Sequence, residues 1–125
     1  MKLTHTLIAL FISCATLAQT HQNIKNPLPA HEAIIQINDL TVDSYNALFK
    51  ALERDGNFSI VTACIPAHVL HISWKVSFST TADSEIKKFI RVASTCDLER
   101  FNHMSQWGVQ EFEQACLNAR NSVTN

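Results

Sequence analysis

Apolar positions along this chain repeat at two spacings, and each change of spacing marks an element. Residues 33–37, AIIQI, form a short unbroken apolar run of the kind that suits a buried strand. Tyr45, Leu48, Phe49 and Leu52 then recur at i, i+3, i+4 and i+7, which is one face of a helix. Asp43 or Ser44 is placed to cap its start, and Gly56 supplies the left-handed stop. Residues 58–64 and 68–78 are rich in β-branched and aromatic side chains. In the second run Leu70, Ile72, Trp74, Val76 and Phe78 alternate with His71, Ser73, Lys75 and Ser77, the period of a half-buried strand. After a cap region at 80–83, Ile86, Phe89, Ile90 and Ala93 return to the helical spacing. Residues 98–104 suit a short strand. Val109, Phe112, Cys116 and Ala119 mark one face of a last helix, with Glu111 and Glu113 near its start and Arg120 near its end, as the helix dipole favours. The order β-α-β-β-α-β plus one helix predicts an α+β fold: a ferredoxin-like βαββαβ sandwich with an additional C-terminal helix. That helix, with Trp107 nearby, either covers the domain or docks a partner.

The N-terminus reads differently. Lys2 precedes an apolar run from Leu7 to Ala18, with small or tolerated residues at Thr16 and Ala18 before Gln19. This is the pattern of a secretory signal at residues 1–18, too short for a transmembrane span. A looser reading takes Phe11-Ile12-Ser13-Cys14 as a lipobox that would anchor the chain through Cys14. Residues 19–32 are polar, with Pro27 and Pro29, and read as a flexible leader. A single domain is expected over 33–121, with a tail at 122–125. The expected location is exported, periplasmic or secreted, with no transmembrane segment after signal removal.

Composition narrows the chemistry. The chain has 125 residues, 10 basic against 11 acidic, and loss of Lys2 with the signal leaves 9 against 11, a formal −2. No basic stripe exists, so nucleic acid is not an expected partner. Two glycines, Gly56 and Gly108, do not make a phosphate-cradling loop. Beyond Cys14 there are three cysteines, Cys64, Cys96 and Cys116. An odd count in an oxidising compartment means one disulfide and a free thiol, or thiols kept for a metal or an intermolecular bond. Three pairings are open.

Residues 62–71, TACIPAHVLH, place Cys64, His68 and His71 within a short span. With Ile65, Pro66 and Ala67 as a three-residue loop, Cys64 pairs with His68, Thr62 with Leu70, Ile60 with Ile72 and Phe58 with Trp74 on one face. Ala63/Val69, Val61/His71, Ser59/Ser73 and Asn57/Lys75 share the other, a mixed face suited to water. On this register Cys64 and His68 stand roughly 5 Å apart at Cβ, and His71 points away. All three therefore do not reach one ion. A Cys64–His68 thiolate–imidazole pair is a candidate for nucleophilic chemistry. It lacks a third orienting group and an oxyanion donor set, and no catalytic residue is assigned.

With that element order, the segment IQINDLTVDSYNALFKAL resembles the heavy-metal-associated domain of copper chaperones and metal-transporting ATPases. In that family the first strand runs into a G-M-x-C-x-x-C loop that opens the first helix. Here Asp39 stands for the glycine and Leu40 for the methionine. Val42 and Tyr45 stand for the two metal-binding cysteines. The resemblance spans about residues 33–104 and implies the fold. It does not carry copper binding over, because valine and tyrosine supply no thiolate. The fold it implies gathers the first loop at 40–45, the hairpin turn at 64–68 and the loop at about 95–98 at one end, bringing Cys64, His68 and Cys96 near the degenerate loop. Two outcomes follow. A Cys64–Cys96 disulfide staples that end, with Cys96–Cys116 as its rival. Alternatively Cys64, His68 and Cys96 form a relocated copper or zinc site. The expectation is an exported, non-catalytic module that binds a protein or small-ligand partner with no cofactor.

Overall fold

The structure is a computed structural model, and it describes residues 27–124. The predicted signal, Cys14 and most of the leader lie outside those residues. The elements are β1 (Glu32–Ile37), α1 (Val42–Asp55), β2 (Phe58–Cys64), β3 (Val69–Trp74), α2 (Ala82–Ser94), β4 (Phe101–His103) and α3 (Val109–Thr124).

Both central helices start with the same device. Thr41-Val42-Asp43-Ser44 and Thr81-Ala82-Asp83-Ser84 each close a capping box. The threonine hydroxyl accepts the serine backbone N–H at 3.2 Å in both, and the serine Oγ accepts the threonine N–H at 2.8 and 3.2 Å. Two otherwise orphaned donors are thereby satisfied at each helix start. The cap of α1 is thus Thr41, two residues before the expected Asp43. Its end is as expected: Gly56 adopts φ 76° and its N–H returns to the Leu52 carbonyl.

The four strands form one antiparallel sheet in the order β2-β3-β1-β4. Ala33, Ile35 and Ile37 of β1 and Leu70, Ile72 and Trp74 of β3 face one side. There they pack against Leu48 and Leu52 of α1 and Ile86, Phe89 and Ala93 of α2. Phe89 and Phe58 meet edge to face, ring centres 5.8 Å apart. Ile34 and Val69 face the other side, where Phe112 and Cys116 of α3 cover them. The central strands β1 and β3 are buried on both faces, which explains why β1 reads as a continuous apolar run. The second face was expected to meet water; α3 covers it at Ile34, Val69 and His71, while Ser59, Val61 and Lys75 are exposed as expected.

Three boundaries also differ from expectation. Leu28, assigned to the leader, packs into the cluster beneath α3, and β1 starts at Glu32. The expected tail at 122–125 is helical through Thr124. Strand β3 stops at Trp74, although its apolar alternation runs on to Phe78. The neighbouring strands end there: the last ladder bonds are Trp74 N–H to the His31 carbonyl and Lys75 N–H to the Asn57 carbonyl. Val76 and Phe78 consequently stand in solvent.

Candidate functional site

The β2–β3 hairpin decides what the cysteines can do. From Phe58 to Ile60 the pairing is the expected one, Phe58 with Trp74 and Ile60 with Ile72. A bulge then absorbs Val61, and the register moves by one: Thr62 pairs with His71, Ala63 with Leu70 and Cys64 with Val69. The connecting loop is four residues, 65–68. Its turn is closed by the His68 N–H to the Ile65 carbonyl at 2.9 Å, with Pro66 second in the turn. His68 leaves the turn in the left-handed region, φ 56°.

This one-residue slip turns Cys64 over. Ala63 takes the place on the face of α1 and α2, and Cys64 points to the face of α3. It forms a disulfide with Cys116, the two Cα atoms 5.9 Å apart. This corrects both expected pairings, Cys64–Cys96 and Cys96–Cys116. Cys96 is the free thiol, half-buried against the opposite core cluster. The sheet itself separates it from Cys64. The relocated Cys64/His68/Cys96 set is therefore not a ligand set, because one sulfur is spent in a disulfide and the sulfurs belong to opposite faces. The Cys64–His68 nucleophile pair falls for the same reason. Nor does His71 point away from Cys64: after the bulge both belong to the α3 face. Among the described residues, no group of three or more His, Cys, Asp or Glu side chains is arranged to hold a metal ion.

The three loops do gather at one end. The Ile37 N–H donates to the His68 carbonyl at 2.8 Å, the Asn38 N–H to the Arg100 carbonyl at 3.4 Å, and the Glu99 N–H to Asp39 Oδ2 at 3.4 Å. The positions matching the metal cysteines offer no donor set there. Val42 is the first residue of α1 and 59% exposed, and Tyr45 packs on the core beside Phe49, ring centres 6.4 Å apart. The residues present do not fit a soft ion. His68, Asp97 and Arg100, all with left-handed backbones, flank this end. The His68 Nδ1 is buried without a hydrogen-bond partner.

On the α3 face His71 is buried, with its Nε2 2.7 Å from Glu32 Oε1 and its ring 6.3 Å from that of Phe112. The pair meets the distance of an ionic hydrogen bond but not its alignment, so its attraction is coulombic when the ring is protonated.

A further cleft lies elsewhere, at the end of the sheet where β3 stops. It encloses about 620 Å³ between the end of α1, the start of β2, residues 75–80 and α2. Its floor carries Glu85, only 2% exposed. Glu85 Oε2 accepts from Asn57 Nδ2 at 2.7 Å and Oε1 from Lys88 Nζ at 3.2 Å. Burial pushes the Glu85 carboxyl up. The Asn57 and Lys88 hydrogen bonds, the Lys88 charge and a Thr80 hydrogen bond outweigh it and hold the carboxyl below its ordinary value. This site was missed in the sequence. The available signal was Glu85 itself, four residues before Phe89 and so on the apolar stripe of α2, where a charge needs partners.

No protein-family model, curated protein or solved structure matches the chain. Among the described residues no helix is long and apolar enough to cross a membrane.

Proposed function

We propose that this chain is an exported, non-catalytic binding module on a ferredoxin-like scaffold, similar to a heavy-metal-associated domain that has lost its metal loop. The carrying observation is the start of α1. Where that family presents two thiolates, this chain presents an exposed Val42 and a core-packed Tyr45 behind a closed Thr41–Ser44 capping box. The sheet order β2-β3-β1-β4, with α1 and α2 on one face, supports the ferredoxin-like reading, and α3 is then an addition to that scaffold. The Cys64–Cys116 disulfide supports export, since such bonds persist in oxidising compartments. The partner on this reading is a protein or small ligand.

Metal analysis of the mature protein, followed by Cu(I) titration against a chelator of known affinity, tests the reading. The expected result is no stoichiometric metal as purified and no tight uptake. One equivalent held tightly by the wild-type protein overturns it.

A further inference from the structure

We propose that the Glu85 cleft binds small organic acids, an anionic group attached to an apolar body. The proposal rests on the binding-module reading and gives that module a site. Three cations reach the cleft from two elements: Lys75 after β3, and Lys88 and Arg91 one turn apart on α2. Both acids at the cleft are already engaged in holding Asn57. Asp55 Oδ2 accepts its backbone N–H at 3.4 Å, and Glu85 Oε2 accepts its side-chain amide. Lys88 is drawn onto Glu85. Among the described residues no acid lies within ion-pair distance of Lys75 or Arg91. The lining thus carries three cations against two carboxylates, a net single positive charge, with Lys75 and Arg91 outside any ion pair, and an incoming carboxylate or phosphate is the natural counter-charge.

The apolar half of the ligand class comes from the strand that overruns its sheet. Val76 lines the cleft and is 77% exposed, with Phe58 and Val92 beside it. Phe78, fully exposed, stands two residues on. An apolar body laid along Val76 removes that surface from water, and the cleft volume lies in the range of small-ligand sites. Glu85 is then the group that sets the floor: it fixes Asn57 and Lys88 before any ligand arrives, which lowers the ordering cost of binding.

The test is an amide-resolved NMR titration of the mature, oxidised protein with phenylacetate, phenylacetamide and inorganic phosphate. Phenylacetate should shift the amides of Asn57, residues 75–80 and the first turns of α2 saturably. Phenylacetamide should leave them unmoved, and phosphate should bind at least threefold more weakly. Lys75→Gln and Arg91→Gln, both at exposed positions, should each weaken phenylacetate at least threefold, and the double variant should abolish it. Equal binding of phenylacetamide, phosphate as strong as phenylacetate, or unchanged binding in the double variant overturns the proposal. Saturable shifts confined to residues 37–41 and 95–100 overturn the cleft and leave the module reading standing. Tight Cu(I) uptake overturns the module reading whatever the cleft does.

Discussion

Cys64 and Cys116 are 52 residues apart in the chain, and their disulfide ties the end of β2 to the middle of α3. It is the covalent link between the sheet and the helix that covers its second face. Closing a loop of that length restricts the unfolded chain, which corresponds to about 4 kcal/mol in the chain-entropy account and about 2–4 kcal/mol as commonly measured. Cys64→Ala/Cys116→Ala should lower the stability from urea unfolding by that amount. Equal midpoints and slopes for the variant and the oxidised wild type would show that α3 needs no staple.

The register beyond the bulge sets the face that Cys64 takes. Removing Val61 leaves an uninterrupted ladder in which Thr62 still faces His71 and Cys64 still faces Val69, so Cys64 stays on the face of α3. The oxidised deletion variant should therefore show one reactive thiol after unfolding, as wild type does. Three thiols in the deletion variant would mean that Cys64 does not keep the register opposite Val69 without the extra residue.

Two phenylalanines separate burial from exposure. Phe89 is fully buried against Phe58, and Phe89→Ala should cost about 3–5 kcal/mol. Phe78 is fully exposed, and Phe78→Ala should change stability by no more than about 0.5 kcal/mol. Chemical denaturation of both variants checks the contrast. A loss above 1 kcal/mol at Phe78 would contradict its placement in solvent, since exposed sites seldom exceed about half that.

Glu85 gives the fold an acid-side dependence. Its carboxyl is held below its ordinary value of 4.5, so the ionised form is favoured in the folded state. The corresponding stability is fully present above that value and is lost as pH falls through the lowered one. The stability difference between wild type and Glu85→Gln should therefore be constant from pH 7 to about 5 and shrink below the ordinary carboxylate range. A difference that grows on acidification would reverse the sign of the shift.

The element order was legible because each segment keeps one period. Leu48 and Leu52, or Phe89 and Ala93, leave no other way to bury a helix face. Gly56 was legible because a left-handed stop needs it. The cysteine pairing was not legible, because it turns on whether one exposed valine, Val61, is counted in the ladder. Alternation looks the same on either side of such a bulge. The period of β3 also overstated the strand: Val76 and Phe78 continue the pattern after the partner backbones have ended. The Glu85 cleft was obscured because its residues come from four separate segments. Only the charge on an apolar stripe hinted at it.

The account depends most on Cys64 being spent between sheet and helix, since that bond removes the metal set and the nucleophile pair and fixes the cover of α3. Peptide mapping of the mature protein by mass spectrometry, alkylated before and after reduction, measures it directly. The account predicts one linked peptide joining Cys64 to Cys116, with Cys96 alkylated before reduction. A linked peptide containing Cys96, or three cysteines alkylated without reduction, would contradict it.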